Sequence, residues 1–184
     1  MSNKETLIAE QVLGGIPQLT GVMWDKIKTF QQRLNTLEGC MNHESGTEQS
    51  DELKNNLPLK QHLEGGIYTR ELFMPKGSVV VSMIHKQSHP TFVLKGVFSY
   101  LDDKGVVRVV KAPHKIFTQV GAQRVFYVHE DTIICGVYKT NAKSFLEAEA
   151  DVYTNDYNDL PKKVIKEIKK IWQEQQQQLL QESV

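Results

Sequence analysis

The pattern of hydrophobic and polar positions predicts an amphipathic helix on each side of a central β segment. Apolar positions within residues 4–13 predict a short helix, which the Gly-Gly-Ile-Pro run at 14–17 ends. Apolar side chains then recur at steps of four and three, which predicts a helix over residues 21–38. This stripe consists of Met23, Ile27, Phe30, Leu34 and Leu37, widened by Trp24. Residues 1–41 are therefore predicted to form an arm and an amphipathic helix.

Two uses of this apolar stripe are open. It packs against the rest of its own domain, or it forms a seam between helices of an oligomer, because the same steps are also the spacing of coiled coils. The stripe is too short to choose between these uses. The second use would make it a contact surface for copies of the chain.

The middle of the chain reads as a polar linker followed by β structure. Residues 42–60 are predicted to be the linker, since they begin with a long run that is rich in turn-forming types and poor in apolar ones. Residues 61–150 contain short apolar or alternating runs between turn signals, which predicts about eight antiparallel strands in a sandwich or barrel. Hairpin loops are expected at 101–105 and 129–132, where Asp and Gly tolerate tight turns.

The last segment, residues 151–184, is predicted to contain a second amphipathic helix that starts at Pro161, because a first-turn proline is tolerated. Within its apolar side, Ile168 and Trp172 are candidate contacts to copies of the chain or to other partners. The opposite side carries a run of lysines near the helix start: Lys162, Lys163, Lys166, Lys169 and Lys170. This face is either solvated or meets an acidic partner or a nucleic-acid backbone.

The amino-acid composition limits which classes of binding partner are expected. Lysine plus arginine and aspartate plus glutamate number 22 each, so the net field gives no reason to expect nucleic acid or an anionic membrane as the main partner. No apolar run has the length of a membrane span or the form of a signal peptide, and a soluble, intracellular protein is expected. Cys40 and Cys135 are both expected to be free thiols.

The stretch from Gly77 to Gly96 places two histidines after a β-branched run. Five residues separate Gly77 from Met83; His85 follows after one residue, His89 after three more, and Gly96 after six more. This spacing resembles the first metal motif of the cupin superfamily, whose members are small jelly-roll barrels. The motif holds His, His and Glu where this chain has Met83, His85 and His89, so the spacing fits and the residue types depart.

The second cupin motif is also matched in spacing but not in type. Its positions are occupied, in order, by Pro113, Gln119, Gly121, Arg124 and Val128. Arg124 stands where the resemblance implies a histidine ligand. The resemblance covers about residues 66–145 and implies a mainly β fold, a cupin-like jelly roll flanked by the two amphipathic helices.

Four pieces of the chain support a closer resemblance. They are P-x-G at 75–77, I-H-K-x-x-H at 84–89, K-A-P at 111–113 and V-G-x-x-R-V-x-Y-x-H-E-D-T at 120–132. Together they are similar to cupin-like proteins of unassigned function encoded by tailed bacteriophages. This implies a phage protein made in the host cytoplasm and a role in the virion, but no particular chemistry.

Three interpretations of Met83, His85, His89 and Arg124 are open. A first-row metal needs about three good ligands, and only His85 and His89 are candidates here; a cation beside Arg124 also costs on the order of 4 kcal/mol per unit of metal charge. Alternatively, Arg124 and the two histidines converge on a carboxylate or phosphate. In the third interpretation the histidines bond to each other or to backbone, and Arg124 pairs with a carboxylate such as Glu71.

His129 is not expected to supply a further ligand. It lies five residues after Arg124, so strict alternation along a strand places the two on opposite faces. We expect His129 at a hairpin end, where it caps a turn beside Glu130 and Asp131.

The expected function is that of a bacteriophage cupin-like structural or assembly protein, homo-oligomeric and associated with the virion, with a degenerate pocket and no catalytic residue. The alternative is a metal-dependent cupin enzyme, an isomerase or dioxygenase acting on a small polar substrate. No cofactor is expected, and a divalent metal belongs only to the alternative. The expected partners are copies of the chain and other virion proteins, rather than a membrane or nucleic acid.

Overall fold

The computed structural model describes residues 11–17, 23–102 and 105–182. Residues 11–14 are helical and a turn follows, so the first predicted helix ends at the expected Gly-Gly-Ile-Pro run. The beginning of that helix lies outside the described residues.

Nine strands and four main helices make up the described fold. The helices are α1 (Met23–Leu34), α2 (Asp51–Asn56), α3 (Phe145–Val152) and α4 (Lys162–Glu182). The strands are β1 (Leu59–Glu64), β2 (Ile67–Met74), β3 (Val79–Val81), β4 (Ile84–His85), β5 (His89–Leu101), β6 (Val107–Lys111), β7 (His114–Thr118), β8 (Val125–Lys139) and β9 (Tyr153–Thr154).

The long strands β5 and β8 form the centre of an antiparallel sheet. The order is β1-β2-β8-β5-β6; β3 also pairs with β8, β7 also pairs with β5, and β4 pairs with β9 in a small second sheet. Alternation along the strands sends one set of side chains inward, and in β2 this set includes Tyr68, Arg70 and Met74. The predicted fold class is confirmed: the molecule is mainly β, its architecture is consistent with a cupin-like jelly roll, and an amphipathic helix flanks it on each side.

The two predicted hairpin loops have different outcomes. The first is confirmed, because β5 turns into β6 with Leu101 opposite Val107. The second is wrong, because β8 runs unbroken through residues 129–132. Both halves of β8 pair with β5, with a register shift between them, so the sheet carries the strand through polar residues that would otherwise suit a turn.

His129 is accordingly not at a hairpin end. Its side chain is buried within β8, and its Nε2 lies 2.7 Å from the Ser99 hydroxyl of the neighbouring strand. The exposed Asp131 instead accepts a hydrogen bond from the backbone N–H of Lys76.

The apolar stripe of α1 packs within its own chain. Ile27 is buried in a core cluster with Leu13 and Leu101, and Met23 and Phe30 pack against the same cluster. The structure therefore favours the first of the two uses that the sequence left open. At the end of the stripe Leu37 is 61% exposed, just beyond the end of α1.

Helix α4 meets α1 through aromatic side chains. The ring of Trp24 lies 4.8 Å from that of Trp172 and 4.2 Å from that of Tyr157, both edge to face. Trp172 is buried, and Ile168 packs against Gly121. Ile168 and Trp172, like Trp24, thus make contacts inside the chain.

The segment predicted as a linker, residues 42–60, belongs to the folded body. Ser50 caps α2, whose Leu53 is buried, and β1 begins at Leu59. His43 contacts Glu149 of α3 at 2.6 Å. The composition is misleading here because several of the polar side chains, such as His43, Ser45 and Ser50, bond to backbone groups or to the buried carboxylate of Glu149 while most of the others face water.

Among the described residues, no helix is both long and apolar enough to cross a membrane.

Candidate functional site

A cavity of about 470 Å³ opens inside the fold, between the inner faces of the strands and the chain that follows α1. Its walls are largely apolar and include Val79, Val81, Phe98, Ile116, Phe126 and Ile134. Its polar lining includes Arg70, His85, Thr118, Arg124 and Tyr138. Leu34 and residues 37–43 also belong to the lining.

Backbone pairing holds His85 and Arg124 in the cavity wall. The backbone N–H of Ser82 donates to the carbonyl of Arg124 at 2.8 Å, and the Ser82 hydroxyl accepts from the N–H of Arg124 at 2.9 Å. His85 donates its backbone N–H to Ala122 and accepts from Gly121. These bonds align the stretch around Met83 with the loop before β8, which brings the two degenerate motif regions together.

Arg124 is a buried cation without a carboxylate partner. One guanidinium N–H donates to the Thr118 hydroxyl at 2.9 Å, and the guanidinium carbon lies 5.3 Å from the centre of the Tyr100 ring. The Arg124 Nε is buried and makes no hydrogen bond to any described residue. Glu71, the partner considered from the sequence, lies instead 3.5 Å from Lys60 on the outer side of the sheet. In the described part of the chain, no carboxylate lies within ion-pair distance of Arg124.

His85 and His89 stack on each other, with ring centres 4.7 Å apart. His89 donates Nδ1–H to the Gln87 carbonyl, because a carbonyl can only accept. In the neutral ring, which its lowered pKa favours, Nε2 accepts from the Thr91 hydroxyl. Burial lowers the pKa of His89 to about 4, and the charge of Arg124 acts in the same direction. Burial also lowers the pKa of His85 well below its usual value, assisted by His89 and the cationic arginines.

A second arginine in the cavity wall has a partner. Arg70 is buried and forms an ion pair with Glu149, which also receives a contact from His43. Its guanidinium carbon lies 5.1 Å from the centre of the Tyr153 ring. Glu149 neutralises Arg70 and His85 is neutral, so Arg124 is the buried charge of the cavity wall that has no opposite charge in contact with it. The exposed Glu38 also lines the cavity.

Two tyrosine side chains also lie against the histidines. Tyr138 and Tyr153 share a hydrogen bond between their hydroxyls, and the Tyr138 ring lies 4.2 Å from that of His89. Burial raises the pKa of both tyrosines, which keeps them protonated at neutral pH. Met83 packs against this aromatic cluster and also lines the cavity.

The side chains present do not fit a divalent metal ion of the kind that cupin motifs bind. Both ring nitrogens of His89 already make hydrogen bonds, which leaves the ring nitrogens of His85 as the available ligand atoms. No group of three or more His, Cys, Asp or Glu side chains with metal-site geometry occurs among the described residues. The nearby charge of Arg124 would also oppose a cation.

Three of the four predicted pocket residues, Met83, His85 and Arg124, line the cavity, and His89 lies behind His85. Sequence reasoning missed Arg70, Glu149 and Tyr153. Arg70 could have been found, because alternation in β2 places it on the same face as the buried Tyr68. The position of Glu149 had no such signal, since its partner lies far away along the chain.

No protein-family model and no curated protein matches this chain. Solved structures similar to part of it include a cupin domain of a transcriptional regulator from Enterobacter cloacae, with TM-score 0.40, 9% identity, 47% of this chain and 99% of that chain covered. The cupin domain of Schizosaccharomyces pombe Cnp3 gives TM-score 0.39 and 13% identity over 47% of this chain and 66% of that chain.

An acetylacetone dioxygenase from Acinetobacter johnsonii gives TM-score 0.39 and 17% identity over 56% of this chain and 80% of that chain. These similarities carry neither an activity nor a ligand to this protein. Its function has to be argued from the residues of its own cavity.

Proposed function

We propose that the cavity binds a small organic carboxylate with an apolar body, and that the protein acts as a binding module and not as a catalyst. The observation that carries this proposal is the buried guanidinium of Arg124, which has a free Nε and no described carboxylate partner. A carboxylate at about 4 Å from such a charge gains roughly 4 kcal/mol at an intermediate effective dielectric. Arg124 can engage it through two N–H groups in the planar geometry that carboxylates favour.

The cavity walls define the rest of the ligand. Apolar side chains, several of them aromatic or β-branched, form much of the lining, so they favour an apolar group next to the carboxylate over a second charge. The volume is within the usual range for small-molecule sites, roughly 300 to 1,000 Å³. A monoanion would balance the excess charge on Arg124, whereas a dianion would leave one charge without a partner.

The two histidines favour binding over catalysis. A general base works best when its pKa is close to the working pH. The pKa of His89 is lowered to about 4 and that of His85 well below its usual value, so both are weak bases. The Thr91 hydroxyl does contact His89 Nε2 at 3.2 Å, but a base this weak would activate it poorly.

Calorimetric titration with matched pairs of ligands tests the proposal. Benzoate and hexanoate should bind, while benzamide and hexanamide, which have the same shape without the charge, should not. Arg124→Gln should weaken carboxylate binding by about tenfold or more. Arg108→Gln is the control, because Arg108 is an exposed arginine paired with Asp102.

Two results would contradict the proposal: equal binding of the amides, or unchanged binding of benzoate by the Arg124→Gln variant. Inorganic phosphate is included as a separate titrant. Preferential binding of phosphate would overturn the assignment of an apolar carboxylate.

As a second candidate function, we propose a role in phage particle assembly. The specific support is the set of exposed apolar side chains on the sheet, such as Phe92, Leu94 and Phe117, together with the phage-like sequence pieces. The helices direct most of their apolar stripes into the chain itself, so the exposed apolar side chains of the sheet are the main candidates for the contacts of an assembled protein. Failure of the protein to co-sediment with phage particles would argue against this role.

A further inference from the structure

We propose that the outer face of the main sheet pairs with the same face of a second copy of this chain. This outer face is defined by Phe73, Phe92, Leu94, Phe117, Ile133 and Cys135. The inference goes beyond the carboxylate site and does not depend on it, because these side chains point away from the cavity.

The register of the strands shows that these side chains share one face. On β5, the buried Val93 points inward, so its neighbours Phe92 and Leu94 point outward and are 39% and 53% exposed. Phe92 lies opposite Cys135 of β8, and Phe73 of β2 lies opposite Ile133 of β8.

Phe117 of β7 extends the face to the far side of β5. It lies opposite Pro90, two residues before Phe92, and is 58% exposed. The result is an apolar area across four neighbouring strands, with the exposed Lys95 beside it, opposite Ile133. Contiguous exposed apolar areas of this kind commonly mark contact surfaces between proteins.

The charged residues beside this area indicate that its binding partner is a second copy of the chain. One row of paired residues crosses the sheet as Glu71 on β2, Cys135 on β8, Phe92 on β5 and Lys115 on β7. A negative and a positive side chain thus lie at opposite ends of an apolar centre, separated by three strand spacings, or about 14 Å.

A two-fold axis that runs along the strands between β5 and β8 would superpose this row on itself. It places β2 of one copy over β7 of the other, so that Glu71 faces the partner's Lys115, and Lys115 faces the partner's Glu71. The same operation places Phe92 over Cys135 of the partner subunit. Apolar contacts at the centre and two ion pairs at the edge give a self-complementary surface, as a two-fold interface requires.

Glu71 is available for such a pair. It lies 3.5 Å from Lys60 of its own chain, with 32% of its side chain exposed, and this contact is on the side of Glu71 away from Phe92. Lys115 is exposed and makes no ion pair with a described residue.

Light scattering coupled to gel filtration tests the inference with the full chain. Wild-type protein should show twice the 21.0 kDa mass of one chain, and dissociate on dilution. Phe92→Glu and Phe117→Glu should each give the monomer mass, because each would place a charge in the apolar centre. Ile171→Glu is the matched control, since Ile171 is an exposed apolar residue of α4 outside the outer face. It should leave the mass unchanged.

Exchange of the two charges tests the arrangement itself. Glu71→Lys and Lys115→Glu should each weaken the dimer, because each faces like charges, and the double variant should restore it. A monomeric wild-type protein at all concentrations would overturn the inference, as would a dimer that survives both Phe→Glu changes. A double variant that stays as weak as the single ones would overturn the Glu71–Lys115 pairing. Carboxylate binding should also be measured with the monomeric variants. Because the outer face is away from the cavity, this measurement tests the cavity proposal independently of the dimer proposal.

Discussion

At the residue scale, the two buried arginines of the cavity differ in whether a carboxylate accompanies them. Arg70 is paired with Glu149, whereas Arg124 has the Thr118 hydroxyl and the Tyr100 ring. A buried charge without a partner is costly, because it has lost water without gaining an opposite charge. The two arginines should therefore respond in opposite ways to the same substitution.

We expect Arg124→Met to stabilise the ligand-free protein and Arg70→Met to destabilise it. The first change removes an uncompensated charge and should raise the free energy of unfolding by about 1 to 3 kcal/mol. The second leaves Glu149 buried without its arginine and should lower it by about 3 to 5 kcal/mol. Urea denaturation of both variants gives the two values.

A stabilised Arg124→Met variant that also fails to bind carboxylates would show that the site sacrifices stability for binding. Strong destabilisation by Arg124→Met would instead mean that Arg124 is a structural residue. That outcome would remove the main support for the proposed site.

At the element scale, the apolar stripes of the helices were predictable from the sequence, but the surfaces on which they pack were not. The stripe of α1 is visible in the spacing of its apolar residues, but nothing in that spacing says whether it meets its own domain or another copy. Docking of α4 depends in part on the backbone at Gly121. Gly121 has a φ of +81°, and a Cβ there would overlap the Cδ1 of Ile168.

We expect Gly121→Ala to destabilise the protein more than Gly77→Ala. Both glycines have positive φ, so alanine carries a similar backbone strain of about 1 kcal/mol at each. Nothing lies within 4 Å of a Cβ at Gly77, whereas at Gly121 the added methyl also displaces the Ile168 side chain of α4. The difference between their unfolding free energies measures this displacement.

Ile168→Ala should partly relieve Gly121→Ala, because it removes the side chain that overlaps the added methyl. The double variant should therefore be more stable than the sum of the two single changes predicts. Simple additivity would show that Ile168 and Gly121 are not in energetic contact.

At the scale of the whole molecule, the buried histidines couple folding to pH. The pKa of His89 is lowered from 6.5 to about 4, and that of His85 is also lowered. The unfolded chain therefore binds protons more readily than the folded one below pH 6.5. Their stabilising contribution is complete above this pH and is lost progressively as the pH falls toward 4.

We expect the free energy of unfolding to fall between pH 6.5 and 4, with each histidine contributing at most about 1.4 kcal/mol per pH unit. His89→Gln should flatten this dependence, because glutamine can replace the hydrogen bonds without titrating. His62→Gln is the control, since His62 is exposed on β1. If His89→Gln left the pH dependence of the free energy of unfolding unchanged, His89 would not be the group responsible for it.

The sequence by itself determined the fold class, the two amphipathic helices and three of the residues that line the cavity. These follow from periodicity and from motif spacing, which are local properties that can be read directly from the linear sequence. The same local signals failed at residues 129–132 and 42–60. There the composition suits a turn and a linker, but pairing with distant chain overrides it.

Only the tertiary structure decided the chemistry of the site. Whether Arg124 has a carboxylate partner depends on side chains distant in the sequence, and Glu149 comes to Arg70 from 79 residues away. The same holds for the outer face of the sheet, which exists because strand pairing places Glu71, Phe92 and Lys115 in one row. Burial and pairing are properties of the folded neighbourhood, and no run of neighbouring residues encodes them.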